Sequence, residues 1–175
     1  GEVQIQSVIG EEDGGIGTLS CVMRGCQADG AIIMEPTELA IAPAQAGALN
    51  FKITVTGRAA HGAMREEGVS ALEKFIPVYE ALTELEKQRN AEVTDPLYQD
   101  YRLPYALTVG TVRCGNWASN VPESLTCEGR YGVRVDEDVG EAQAELEKAV
   151  AAAAARDSWL SEHPPVVEWW GGQFH

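Results

Sequence analysis

Apolar residues fall into two patterns along the chain, with the change near residue 47. Upstream, Val3-Gln4-Ile5-Gln6-Ser7-Val8-Ile9 is rich in β-branched residues, and Ala31-Ile32-Ile33-Met34 is a short continuous apolar run. Both read as strands. Continuous apolar runs suit strands buried on both faces of a parallel sheet. Between them Gly14 to Gly17 reads as loop and Thr18 to Arg24 as a short helix stopped by Gly25, a crossover that makes the two strands parallel. Downstream, Leu49 to Thr56 alternates apolar and polar, as a strand with one buried face does, and Gly57 ends it. After the loop 58–68, Val69, Leu72, Phe75, Ile76, Tyr79 and Leu82 recur at helical spacing, which predicts an amphipathic helix to about Gln88.

Asn90 to Pro104 is polar, holds Pro96 and Pro104, and reads as loop. Ala106 to Arg113 and Ser124 to Val133 are strand-like, the latter with Leu125, Cys127, Gly129 and Tyr131 on one side; Cys114 to Pro122 connects them. Asp136 or Asp138 caps a helix through Ala155 with Leu146 and Val150 facing inward, and Val166 to Trp170 is a last strand. From residue 48 the order is β-α-β-β-α-β, the split βαβ, ferredoxin-like arrangement with both helices on one face of an antiparallel sheet. The expected fold class is therefore α+β: a fragment of a parallel α/β domain over 1–46, a ferredoxin-like domain over 47–170, and a return segment over 171–175. A chain that opens on a strand at Gly1 reads as a piece of something larger.

Carboxylates mark the ends of both N-terminal strands. Glu11 and Glu12 follow the first and Glu35 closes the second. Parallel sheets bind ligands beyond the carboxyl ends of their strands, so these acids are expected at one rim. Clustered carboxylates repel, which calls for a metal ion, an arginine or a shared proton between them. The glycine cluster after Glu12 is a poor phosphate loop, since no lysine follows and the acids would repel phosphate.

A net charge of −14 disfavours nucleic acid and anionic membrane as partners, and no apolar run is long enough to span a bilayer. Cys21, Cys26, Cys114 and Cys127 form no C-x-x-C pair, so free thiols in a reducing, cytoplasmic setting are expected. Of the three histidines, His61 lies in a glycine-flanked loop, a more suggestive place than a core, while His163 and His175 read as surface residues.

Four motifs in order, Gly10-Glu11-Glu12-Asp13-Gly14-Gly15-Ile16-Gly17-Thr18, Glu35-Pro36-Thr37, Gly57-Arg58-Ala59-Ala60-His61-Gly62 and Gly115-Asn116-Trp117-Ala118-Ser119-Asn120-Val121-Pro122, resemble the zinc-dependent deacylase/peptidase family. That family includes acetylornithine deacetylase, succinyl-diaminopimelate desuccinylase, aminoacylase and carboxypeptidase G. The resemblance implies a catalytic α/β domain holding two zinc ions and an inserted ferredoxin-like lid that dimerises. It implies Glu11 as general base and Glu12 and Glu35 as zinc ligands. His61 would reach a partner subunit's active site and steady the oxyanion of the scissile carbonyl. Asn120 would contact a substrate carboxylate, and Arg130 on the following strand would clamp it, although Arg130 lies two residues earlier, and Arg134 two later, than the usual pattern. Trp117 reads as a packing residue. The implied activity is hydrolysis of the amide bond of an N-acyl amino acid or small peptide. The family's His-x-Asp stretch, bridging Asp and final His are absent from these residues, so the chain alone is expected to hold zinc poorly and to be inactive. The rival expectation is a non-catalytic dimerisation or small-molecule-binding module.

Overall fold

The computed structural model describes residues 1–12, 14–91 and 93–174. Asp13 of the first motif and His175 lie outside the described residues. The chain folds as an α+β structure around a four-stranded antiparallel sheet. Strands β1 (Gly47–Thr56), β3 (Leu107–Cys114), β5 (Ser124–Val133) and β6 (Val166–Phe174) lie side by side in the order β3-β5-β1-β6. This is the strand order of a βαββαβ unit. A second, two-stranded ribbon pairs β2 (Ala60–His61) with β4 (Asn120–Val121).

Alternation decides the layers. Leu49, Phe51, Ile53 and Val55 of β1 and Leu125, Cys127, Tyr131 and Val133 of β5 point to one face and are buried. Helices α2 (Ala71–Ala91) and α3 (Val139–Ala154) cover that face through Phe75, Val78, Leu82, Leu85, Leu146 and Val150. Full burial of one such side chain stabilises the fold by about 1.5–3 kcal/mol. Asp138 caps α3 by accepting from the Glu141 N–H at 3.0 Å, which decides between the two expected caps. Helix α4 (Ser158–Glu162), which the hydrophobic pattern did not announce, buries Leu160; Asp157 caps it and also binds Lys74 of α2 at 2.7 Å.

Beyond α4 and the β2–β4 ribbon, the expected and observed elements differ in three places. Helix α2 buries Ala71, Phe75, Val78, Leu82 and Leu85, whereas Leu72, Ile76 and Tyr79 of the predicted stripe are about half exposed. The helix carries two apolar stripes, and the pattern alone does not say which faces the sheet. Strand β6 continues past Trp170 to Phe174. In the N-terminal part, α1 (Ile16–Met23) is present, but Val3–Ile9 and Ala31–Met34 form no strands and, apart from the half-buried Val8, stay exposed, Ile5 at 88% and Ile32 at 93%. A strand exists only by hydrogen bonding to a neighbour, and no neighbour for them lies among the described residues.

One charged side chain is buried in the helical layer. Arg89 of α2 is fully buried, yet its guanidinium donates to Glu137, Glu145 and the Gly132 carbonyl and stacks 4.5 Å over the Tyr131 ring. It therefore joins α2, β5 and α3. Burial pushes the Glu137 carboxyl up, but hydrogen bonds from Arg89 and the Arg134 N–H, with the charges of both arginines, outweigh it and hold the group below the usual carboxylate range. A carboxyl depressed in the fold stabilises it above the unfolded-state pKa, and that stabilisation is lost as pH falls through the folded value. Replacing Arg89 by Met leaves two carboxylates facing an apolar chain. Arg89→Met should lower stability at neutral pH by about 3–5 kcal/mol in urea unfolding. It should also flatten the fall in stability that the wild-type protein shows on acidification below about pH 4.

Candidate functional site

Thr56 of β1 pairs with Ser124 of β5, so the segment leaving β1 and the segment entering β5 emerge at the same end of the sheet. They are then bound together by backbone. Gly57 N–H donates to Glu123 O at 2.7 Å, Gly62 N–H to Ser119 O at 2.8 Å, and Ala71 N–H to Pro122 O at 2.8 Å. The approach is close enough to demand glycine. A Cβ on Gly57 would strike the Val69 carbonyl, and one on Gly68 would sit 2.9 Å from the side chains of Ala60 and Val121.

Within this bundle of loops β2 meets β4, with His61 directly opposite Asn120. Opposed residues in an antiparallel pair share a face, with Cβ atoms about 4.5–5.5 Å apart. Two candidate residues 59 positions apart in sequence are thus neighbours. His61 also begins a 3-10 turn over Gly62–Glu67, and its Nδ1 accepts the Ala63 N–H at 3.2 Å. That bond selects the tautomer whose proton is on Nε2. The Trp117 ring lies edge-on to the imidazole at 5.8 Å and is 61% exposed, so it packs against His61 at the surface.

Beside the ribbon a cleft of about 290 Å³ opens on the polar face of the sheet, lined by Arg113, Cys114, Asn116, Asn120, Glu123, Ser124 and Thr126. Asn120 is in it. Arg130 is not: it pairs with Asn50 and Thr108, four residues along β5 from Thr126 and so roughly 13 Å away. Arg134 lies beyond the other end of β5, engaged with Glu137 and the Arg89 carbonyl. The cationic residue of the cleft is Arg113, which the sequence reading passed over. The signal was Gly110, a glycine inside a strand pattern.

Glu11 and Glu12 sit exposed on a turn closed by Gly14 and Gly15 N–H bonds to the Glu11 carbonyl, and Glu35 is exposed on an extended segment. Among the described residues no group of three His, Cys, Asp or Glu side chains is placed to hold a metal ion. Glu12 and Glu35 carry carboxylates of the type zinc accepts, and both are exposed. His163 is half-buried and stacks on Trp159 at 3.9 Å, a packing role.

Residues 44–158 match the peptidase dimerisation domain of the M20 family, and the chain belongs to that family. It is 28% identical over 183 residues to the N-formyl-4-amino-5-aminomethyl-2-methylpyrimidine deformylase of Halalkalibacterium halodurans, covering 98% of this chain and 42% of that protein. It is 34% identical over 137 residues to a probable carboxypeptidase of Aspergillus clavatus, covering 73% of this chain and 31% of that one. Among solved structures, aminopeptidase PepT of Bacillus cereus shares the fold with a TM-score of 0.56 at 16% identity, over 95% of this chain and 41% of that chain. The chain thus spans less than half the length of these relatives.

The tautomer is directly measurable. The ¹⁵N shifts of the His61 ring should report a proton on Nε2 and an acceptor at Nδ1; a proton on Nδ1 would contradict the Ala63 contact.

Proposed function

We propose that the intact protein is a hydrolase of amide bonds, acting on an N-acyl amino acid or a small peptide, and that residues 47–170 form its lid and dimerisation domain. The observation that supports this most is the β2–β4 ribbon, which holds His61 against Asn120 inside a domain of the M20 family. A deformylase and a carboxypeptidase, the activities named for two relatives, both break a carbonyl–nitrogen bond.

In this reading the Nε2–H of His61 is aimed at the oxygen of the scissile carbonyl in the partner subunit's active site. A preset donor placed where negative charge develops lowers the barrier by roughly 3 kcal/mol in comparable sites. Asn120 orients the substrate from the opposite strand. Glu11 receives the proton of the attacking water, and Glu12 and Glu35 are ligands for zinc in the intact enzyme. Those three carboxylates would take up their roles when the N-terminal segments pair into a sheet of a catalytic domain to which residues 1–46 contribute, and zinc held there would supply Lewis-acid chemistry. A cytoplasmic location accords with four free cysteines.

The dimer reading draws on Leu72, Ile76 and Tyr79, which form an exposed apolar stripe on α2, and on the half-exposed Val112 of edge strand β3. Burying such a stripe against its own copy is the ordinary use of an isologous surface.

Two experiments test these roles. In the intact protein His61→Ala should lower kcat about a hundredfold or more with unchanged metal content; unchanged turnover would remove His61 from the reaction. Placing a charge in the α2 stripe, Ile76→Arg, should convert a dimer to a monomer in sedimentation while leaving the circular dichroism spectrum intact.

A further inference from the structure

The ribbon that presents His61 is too small to hold itself. Strands β2 and β4 form two residue pairs, and His61 and the turn after it, 62–67, are exposed. A two-stranded pair on its own is at best marginally stable in water. What fixes this loop lies at its base. There Arg58 and Val69 exchange backbone hydrogen bonds of 2.8 Å, and the Arg58 Nε–H donates to the Glu67 carbonyl at 2.9 Å. Trp159 grips that base from outside. Its indole N–H donates to the carbonyl of Thr56, the last residue of β1, at 2.8 Å. The Arg58 guanidinium lies over the indole ring, 5.5 Å from its centroid, where a cation is attracted to the ring face.

Trp159 is itself held. It stands on α4, whose five residues are too few to persist as an isolated helix. Leu160 beside it is fully buried in the core. Asp157 accepts from the N–H groups of Trp159 and Leu160 with one carboxylate oxygen and binds Lys74 of α2 with the other. The His163 N–H donates to the Trp159 carbonyl at 2.9 Å, and the His163 ring stacks 3.9 Å from the indole and 10° from parallel. A line of contacts thus runs from α2 through Asp157 and Trp159 to Thr56 and Arg58, three residues before His61. Packing alone does not account for it: the indole is half-buried, and its single N–H is spent on the end of β1.

We infer that Trp159 is a positioning residue for His61: its ring and indole N–H clamp the base of the loop that presents the imidazole and so fix the direction of the Nε2–H. The inference rests on the proposed amidohydrolase reading, in which that N–H meets the scissile carbonyl, and goes further by naming what aims it. A donor acts on developing charge only where it is already in place, so a loosened loop costs turnover without costing ground-state binding.

The test uses the intact protein labelled with ¹⁵N-histidine, the His61 ring signals being assigned by their loss in His61→Ala. Trp159→Ala should shift or broaden the His61 ring signals and lower kcat about tenfold or more with KM unchanged. Trp159→Phe keeps the ring over Arg58 and loses the bond to Thr56, so it should recover part of both. Trp170→Phe, a change on the edge strand, should leave the His61 signals as they are. The kcat loss from Trp159→Ala should vanish in a His61→Ala background, as it must when one residue acts through the other. His61 signals unchanged in both Trp159 variants would overturn the inference, as would kcat losses that add fully in the double variant. The two levels separate cleanly. If His61→Ala leaves turnover unchanged, the reading of the reaction fails, while the ring spectrum still decides whether Trp159 holds the loop. If His61→Ala lowers kcat but both Trp159 variants turn over at the wild-type rate, the clamp alone is rejected.

Discussion

Ten consecutive residue pairs join β1 to β5 without a break, and the rest of the structure hangs on that ladder. Its buried face carries the aliphatic side chains on which both long helices pack. Its two edges receive β3 and β6. Its end, at Thr56 and Ser124, fixes where two distant loops leave the sheet, and the pairing of His61 with Asn120 follows from that placement. A shift of the ladder by one residue would bury Lys52 and expose Phe51, so the hydrophobic pattern that stabilises the sheet also holds the loops in register.

The helical layer is fixed differently. Arg89 is a costly residue to bury, and a charge in an apolar layer is tolerated only when its donors are met. Here both terminal guanidinium nitrogens are met, by Glu137, Glu145 and the Gly132 carbonyl, with the Tyr131 ring beneath. Apolar contacts would allow α2 to slide along its axis with small loss; the guanidinium geometry does not. Asn90 adds a second fixed point, exchanging 2.9 Å hydrogen bonds with both backbone groups of Tyr105 just ahead of β3. The end of α2 and the start of β3 are therefore tied, which sets the strand that carries Arg113.

Strong local periodicity made most of this legible. The alternation in β1 and β5, the capped helix at Asp138 and the βαββαβ order can be read from the residues, because each repeats over eight or more positions. Features that depend on long-range pairing are not legible in that way. A two-residue strand such as β2 has no period to detect. The bulge at Gly110 leaves one faint sign, a lone glycine inside a strand pattern. On α2, two stripes of similar hydrophobicity compete, and the sheet chooses between them through shape. In the N-terminal part, β-branched residues favour extended backbone at Val3–Ile9, yet propensity without a neighbouring strand yields no sheet. The carboxylates Glu11, Glu12 and Glu35 are consequently readable as a motif but not as an assembled centre.

The hydrogen bond from the Ala63 N–H to His61 has a consequence for what the imidazole can do. With Nδ1 occupied by its own backbone, the ring faces outward with a single N–H and no free lone pair. It cannot relay a proton from one atom to another, as a histidine with both nitrogens available does. It behaves as a fixed dipole whose direction is settled when the domain folds, so the same site could be served by any rigid donor that held this position.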